Sequence, residues 1–255
     1  MATTDKKKPL LEVKNLAVKS KEGKMLLQKI NLTLYPGEVH ALIGTNGTGK
    51  SSLFHVLSGK KGYEVTGGSL SLKGEDLLQM DVDERARKGL FVAFQHPVSI
   101  PGLSNATFLL ETLNEQRRAK GEEPLTLPAF LSFIQKRMDE LDMERSLLHR
   151  SVNSGFSGGE RKRNELLQMV ALDPDVILLD ETDSGLDAKA RHSLVALIKR
   201  FRKDGKGIIL ISHYQEMLTA VQPSTVHLMH KGGQMTSGKE PVATRFFAVT
   251  AEGKK

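Results

Sequence analysis

The chain has 255 residues, of which 39% are hydrophobic and 26% are charged, and its formal net charge is +7. This composition is ordinary for a soluble globular protein, and no apolar run approaches the roughly 18 residues that a membrane span needs. The chain has no cysteine, which excludes disulfides, thiolate metal sites and a cysteine nucleophile. No apolar stretch follows the N-terminal lysines, so we expect no secretory signal, no direct membrane insertion and a cytoplasmic location.

The excess of positive charge lies partly at the two ends of the chain. Segments 5–8 (DKKK) and 252–255 (EGKK) contribute +2 and +1 of the total. Basic residues do not alternate with aromatic ones, which make up 5% of the chain, as a surface that stacks nucleic-acid bases would require. We therefore expect solvated basic tails and no nucleic-acid partner.

The N-terminal part of the chain predicts strands. Segments 11–18 and 26–35 alternate apolar and polar residues in a patchy way, and a Pro-Gly turn follows at 36–38. The short apolar run 39–44 (VHALIG) predicts a buried strand that leads into a loop. Further candidate strands lie at 69–74 and 90–95. We expect an antiparallel β portion at the N-terminus.

The periodicity changes between residues 103 and 150. Phe130, Ile134 and Met138 recur four apart on one helical face, and Pro128 stands where a helix can begin. This stretch predicts a mostly helical insertion.

After the insertion, strands and helices alternate. A helix begins at Ser157, and the apolar runs 176–180 (VILLD) and 207–212 (GIILIS) predict buried strands. Strands that alternate with helices predict an α/β fold with a mixed or parallel core sheet covered on both faces. Between the two strands, a helix after Asp187 would bury one apolar face made of Leu194, Leu197, Ile198 and Phe201.

The segment 44–51 (GTNGTGKS) matches the phosphate-binding pattern G-x-x-x-x-G-K-[ST]. Its glycines allow backbone N–H groups to converge on phosphate oxygens. Lys50 would reach the β- and γ-phosphates, Ser51 would offer its hydroxyl to Mg²⁺, and the following helix would direct its positive end at the anion. A preceding strand and a following helix are the context that this pattern requires.

Two acidic residues, Asp180 and Glu181, end the strand 176–180. The carboxyl ends of strands form the ligand-binding edge of an α/β sheet. Beside a phosphate loop, Asp180 would hold Mg²⁺ and Glu181 would orient the attacking water. The alternative is that the strand ends in polar residues only because it reaches solvent, and the phosphate loop favours the functional interpretation.

The helix that begins with Ser157, Gly158, Gly159 and Glu160 has two interpretations. The pattern S-x-x-E predicts a capping box, which would stabilise the helix by about 1 kcal/mol. However, two glycines weaken the first turn, and residues 161–163 place three cations at the positive end of the helix dipole. These two costs predict that the helix start binds an anion.

The segment 156–160 (FSGGE) resembles the signature motif of the ABC ATPases, and the other motifs of this family follow in order. Gln95 matches the Q-loop glutamine, which contacts the metal and the attacking water. His213 matches the switch histidine at the γ-phosphate. The D-loop, which crosses the dimer interface, is matched by Ser184, Gly185, Leu186 and Asp187.

The resemblance implies an ATP hydrolase that uses ATP and Mg²⁺, with the signature of one copy closing over the nucleotide of another. It assigns catalysis to Glu181, His213 and Gln95, and metal binding to Ser51, Gln95 and Asp180. It assigns ATP binding to the loop and the start of the next helix, which are Gly44, Thr45, Asn46, Gly47, Thr48, Gly49, Lys50, Ser51 and Ser52.

The same resemblance sets the expected domain organisation. A single ABC ATPase domain would cover residues 1–255. Its catalytic α/β core would occupy 10–97 and 170–250, and a helical subdomain at 98–169 would end in the signature helix.

Within the family, the ATPases of the SUF iron–sulfur cluster assembly system are most similar in four segments: 94–102, 156–169, 180–187 and 212–218. This resemblance implies SufB- and SufD-like scaffold proteins as partners, docked on 94–102 and the helical insertion, and an ATP-dependent homodimer within that complex. It also implies that Lys162 pairs with Glu181 at rest. Two alternatives remain open: the nucleotide-binding subunit of a membrane transporter, and an ATP-dependent clamp that does not hydrolyse ATP.

Overall fold

The computed structural model of the protein describes residues 8–238. The predicted solvated tail at 252–255, the first three residues of the one predicted at 5–8, and the end of the predicted core at 239–250 lie outside the described residues. None of the helices within 8–238 is both long enough and apolar enough to cross a membrane.

Strands and helices alternate along most of the described chain. The strands are β1 (Leu11–Ser20), β2 (Met25–Leu34), β3 (Val39–Ile43), β4 (Tyr63–Leu72), β5 (Glu75–Asp76), β6 (Leu90–Ala93), β7 (Ile100–Ser104), β8 (Ser151–Val152), β9 (Val176–Asp180), β10 (Gly207–Ile211), β11 (Thr225–Met229) and β12 (Met235–Gly238). The α-helices are α1 (Lys50–Ser58), α2 (Val82–Arg87), α3 (Asn105–Ala119), α4 (Leu127–Glu140), α5 (Gly158–Leu172), α6 (Ala188–Lys203) and α7 (Gln215–Val221).

An antiparallel sheet in the order β2-β1-β4-β5 confirms the predicted N-terminal β portion. Strand β1 buries Leu11, Val13, Leu16 and Val18. The spacing of these residues shifts because Asn15 adopts a left-handed φ of 48° at an irregularity in the strand pairing. This irregularity explains why the alternation in the sequence is patchy.

A second sheet has the order β12-β11-β3-β10-β9-β6. Strands β11, β3, β10 and β9 are parallel to their neighbours in this series, whereas β12 is antiparallel to β11. Every residue of β3, β9 and β10 is buried, as continuous apolar runs predict for strands in the middle of a sheet. The prediction of an α/β fold with a mixed core sheet is confirmed.

The described residues divide into two compact units. The sheet unit contains the residues up to 92, together with 175–181 and those from 197 onward, and the helical unit contains 93–174 and 182–196. The predicted organisation, a single domain (1–255) with a catalytic core at 10–97 and 170–250 and a helical subdomain at 98–169, stays a prediction.

Helices α3 and α4 confirm the predicted helical insertion. The Thr126 hydroxyl caps α4 by accepting a hydrogen bond from the Ala129 N–H at 3.4 Å, and Pro128 lies in the first turn. The predicted apolar face of α4, formed by Phe130, Ile134 and Met138, is buried.

Candidate functional site

The phosphate loop joins β3 to α1 and is shaped by three glycines. Gly44, Gly47 and Gly49 have φ values of 152°, 78° and 103°. A Cβ at Gly44 would lie 2.6 Å from the Met229 carbonyl oxygen, and one at Gly49 would lie 2.9 Å from a methyl of Leu27. A larger residue at Gly44 or Gly49 would therefore clash with neighbouring atoms. With glycine at these positions, the backbone N–H groups of the loop lie at the positive end of α1.

Lys50, at the start of α1, folds back over this loop. Its ammonium donates hydrogen bonds to the carbonyl oxygens of Gly44 at 2.8 Å and Thr45 at 3.1 Å. Burial lowers the pKa of Lys50, and the nearby carboxylates of Glu181 and Asp180 oppose this shift. A cation held against loop carbonyls beside carboxylates is suited to exchange these contacts for phosphate oxygens.

Asp180 and Glu181 lie where β9 ends, next to the end of β10. Asp180 is buried and pairs in register with Ile211 of β10. Glu181 has a left-handed φ of 49°, and its N–H donates to the Ile211 carbonyl at 3.1 Å. Glu181 Oε1 lies 2.9 Å from His213 Nε2. The structure thus brings two predicted catalytic residues, Glu181 and His213, into direct contact, although His213 is 32 positions away in the sequence.

The start of α5 contains the predicted capping box. Ser157 Oγ accepts from the Glu160 N–H at 3.2 Å, and the Ser157 N–H donates to Glu160 Oε2 at 2.6 Å. These hydrogen bonds lower the pKa of Glu160. A Cβ added at Gly158 or Gly159 would meet nothing within 4 Å among the described atoms. Packing within the described chain therefore does not require these glycines. Since glycine destabilises a helix, their presence is better explained by a functional role.

The helical unit also contains the D-loop, at the start of α6. Asp187 Oδ1 accepts a hydrogen bond from the Ala190 N–H at 2.7 Å and so caps α6. The other carboxylate oxygen of Asp187 lies 3.2 Å from a guanidinium nitrogen of Arg163 on α5. Ser184 and Gly185 are exposed, and Leu186 is buried. Arg163, which ties the D-loop to the signature helix, was not predicted from the sequence.

Gln95 and Lys162 also belong to the helical unit. The Lys162 ammonium lies 3.3 Å from the Gln95 carbonyl oxygen and 3.7 Å from Glu165 Oε2. Glu165 was not predicted from the sequence. The pattern that could have indicated it is its charge, opposite to that of Lys162 and three positions later on the same helical face. The predicted pairing of Lys162 with Glu181 joins residues of the two units and stays a prediction, as do the catalytic roles.

The donor set of the sheet unit fits Mg²⁺ and a polyphosphate. Ser51 lies in the first turn of α1, and Asp180 is a buried carboxylate. Hydroxyl and carboxylate oxygens are ligands that Mg²⁺ accepts in proteins, usually together with phosphate oxygens and waters. The glycine loop and Lys50 supply the donors that phosphates need. The residues present therefore fit both groups.

These observations define the class of protein. A family model described as "ABC transporter" matches residues 27–184, which is more than half of the chain. The chain belongs to this family, and it is an ABC-type ATPase that binds nucleotide and hydrolyses ATP.

One relative shows which branch of the ABC ATPase family this chain resembles. The chain is 44% identical over 229 residues to a protein of Escherichia coli (strain K12) named "Probable ATP-dependent transporter SufC", covering 90% of this chain and 92% of the relative. This similarity confirms the resemblance to the SUF branch of the family.

Solved structures agree on the fold. One, described as the ATP-binding subunit of an ABC transporter, superimposes with a TM-score of 0.76 at 25% identity, covering 94% of this chain and 93% of the other. Another is a dimeric ATP-binding cassette in a post-hydrolysis state bound to ADP and Pi, with a TM-score of 0.74 at 20% identity and coverages of 90% and 98%.

Proposed function

We propose that this chain is the ATPase of an iron–sulfur cluster assembly complex, in which ATP binding pairs two copies and hydrolysis changes the conformation of a SufB/SufD-type scaffold. The observation that carries the proposal is the likeness to the protein named SufC over 90% of this chain. The proposal also includes a cytoplasmic location, no direct membrane insertion and no nucleic-acid partner.

In the proposed reaction, the loop N–H groups and Lys50 would bind the phosphates of ATP. Ser51 and Asp180 would hold Mg²⁺, and the family resemblance assigns Gln95 to the same metal. When bound, the metal neutralises the charge that develops on the transferred phosphoryl group. Glu181 orients the attacking water and accepts a hydrogen bond from it. In the tautomer that carries the proton on Nε2, His213 donates a hydrogen bond to Glu181. This hydrogen bond fixes the orientation of the Glu181 carboxylate.

The second half of each site comes from another copy in this proposal. No described atom lies within 4 Å of where a Cβ on Gly158 or Gly159 would stand, which leaves room for an anion beside these two residues at the positive end of α5. The dimeric solved cassette is a precedent for pairing in this fold. The D-loop of each copy would lie at the same interface.

The proposed scaffold contacts involve residues 94–102 and the helical insertion. Val98 is 69% exposed and Ile100 is 37% exposed, although both are apolar. Exposed apolar side chains on a short segment are suited to docking against a protein surface. The alternative partner is a membrane transporter subunit, because the relative from Escherichia coli is named a probable transporter.

Affinity purification of the chain from its native cell extract shows which of these two kinds of partner it binds. Scaffold proteins of an iron–sulfur cluster assembly system should co-purify without detergent. Recovery of membrane subunits from the detergent extract alone would replace this proposal with the transporter function.

The hydrolytic mechanism predicts the behaviour of Glu181→Gln. The variant should bind ATP with unchanged affinity and lose catalysis by about 100-fold or more, because the amide orients water poorly and accepts no proton. It should also accumulate as a dimer in ATP, measured by size-exclusion chromatography with light scattering. Normal turnover by this variant would remove Glu181 from the mechanism.

A further inference from the structure

A buried ion pair lies on the side of α5 that faces the backbone at residues 94–95. Lys162 and Glu165 are three positions apart, and their side chains are only 10% and 7% exposed. The ammonium lies 3.7 Å from Glu165 Oε2, 3.3 Å from the Gln95 carbonyl oxygen and 3.5 Å from the Phe94 carbonyl oxygen. The Phe94 N–H donates to the Glu165 carboxyl group. The pair therefore binds both the donor and the acceptors of this short backbone segment.

The buried ion pair is not well suited to stabilising the fold. Burial raises the pKa of Glu165 to about 7, although Lys162 opposes this rise. Oε2 of Glu165 accepts no hydrogen bond from any residue within 8–238. Apolar residues of similar volume are often as stabilising as a buried ion pair, or more so. What the charged pair adds is a defined position for the backbone that it contacts.

A second contact joins the same helix to the same segment. Asn164 is fully buried, and its amide donates to Asn153 Oδ1 at 3.0 Å. Asn153 in turn donates to the Val98 carbonyl at 2.8 Å. Residues 94–98 are therefore tied to α5 near both of their ends, and the exposed Val98 side chain lies on this tied segment.

We propose that Glu165 is a positioning residue for Gln95, holding the backbone at 94–95 directly and through Lys162 so that Gln95 moves together with the signature helix. This inference rests on the proposed function, in which Gln95 contacts the metal and the attacking water. It follows that a protein docked on residues 94–102 acts on the signature helix and on Gln95 at once.

Steady-state ATPase measurements on the full chain test the proposal with two variants. Glu165→Met removes the acceptor and the charge, and a misplaced Gln95 should lower kcat about tenfold, with KM and the dissociation constant for ATP unchanged. Glu165→Gln can still accept from the Phe94 N–H but no longer attracts Lys162, so its kcat should fall about threefold. Glu64→Gln, the same substitution at an exposed position on β4, is the control and should retain wild-type kcat.

A double-mutant cycle separates positioning from general damage. Since Glu165 acts through Gln95, Glu165→Met should cause no further loss of kcat in a Gln95→Ala background. Losses that multiply, or wild-type kcat in a folded Glu165→Met protein, would overturn the inference. If Glu165→Met does not fold, the cycle is made with Glu165→Gln, whose thermal unfolding should match wild type within a few degrees. Normal turnover by Glu181→Gln would instead indicate failure of the proposed mechanism.

Discussion

Lys50 is a buried cation whose position is set by opposing effects. Desolvation lowers its pKa, the carboxylates of Glu181 and Asp180 oppose that shift, and two loop carbonyls accept its hydrogen bonds. A bound polyphosphate would stabilise the charged form further, because it adds negative charge next to the ammonium. The residue is thus arranged for an anion that the loop also binds.

The Lys50→Ala substitution should weaken ATP binding by about 10- to 100-fold, since charge-assisted hydrogen bonds are worth about 1.5–3 kcal/mol. Equilibrium binding of a fluorescent ATP analogue measures this change. Lys61→Ala, at an exposed position that follows α1, should bind like wild type. Equal affinity in Lys50→Ala and Lys61→Ala would contradict the phosphate-loop assignment.

At the scale of elements, one buried arginine holds the far end of the helix that follows the phosphate loop. The Arg85 guanidinium on α2 donates to the Val56 and Leu57 carbonyls at 2.8 Å, near the C-terminus of α1. It also donates to the carbonyls of Leu77 at 2.6 Å and Met80 at 3.1 Å. These bonds satisfy carbonyl groups that a helix end otherwise leaves to water, and they fix α1 against α2.

Replacing Arg85 by methionine should lower the free energy of unfolding by about 3 kcal/mol, because several buried carbonyls lose their donor. The shift of the urea midpoint at constant m-value measures the effect. Arg87→Met, which removes only the exposed pair with Asp83, should leave the urea midpoint close to that of wild type. Similar losses in the two variants would mean that burial of Arg85 adds nothing.

The signature helix shows how one element serves packing and function together. Its capping box is complete, so local stability alone explains Ser157 and Glu160. The glycines between them are not required by any described neighbour, and they are the part of the motif that local stability disfavours. The functional interpretation therefore rests on Gly158 and Gly159 rather than on the capping residues.

At the scale of the whole molecule, a buried histidine pair joins two neighbouring strands of the core sheet that are far apart in the sequence. His40 Nδ1 on β3 lies 3.0 Å from His227 Nε2 on β11, and these residues are 187 positions apart. Glu38 and Ser237 contact the outer nitrogens of the pair. Burial lowers the pKa of His227 to about 3 and also lowers that of His40.

This pair predicts that the protein loses stability in acid. Between an unfolded pKa of about 6.5 and the folded value near 3, the unfolded chain binds more protons, so the free energy of unfolding falls as the pH falls. Chemical denaturation between pH 7.5 and 4.5 measures the slope. His227→Gln, which keeps a donor and an acceptor but does not titrate, should show a shallower slope than wild type. An unchanged slope would contradict the assignment.

Sequence patterns predicted the core strands well where the signal was local. The runs at 39–44, 176–180 and 207–212 became β3, β9 and β10 with ends shifted by at most one residue. Continuous apolar residues bounded by turn residues leave few alternatives for a short segment. Strand β7 was not predicted, because Pro101 and Gly102 interrupt its pattern and its pairing with the distant β8 outweighs local propensity.

The sequence by itself determined the features that depend on residues a few positions apart: the phosphate loop, the buried strands, the cap of α5 and the acidic end of β9. Only the tertiary structure decided which of these side chains meet. The contact between Glu181 and His213, the buried pair Lys162–Glu165 and the coupling of His40 to His227 were not predicted. Propensity and capping act within one or two turns of chain, whereas burial and pairing depend on the order in which distant strands and helices pack.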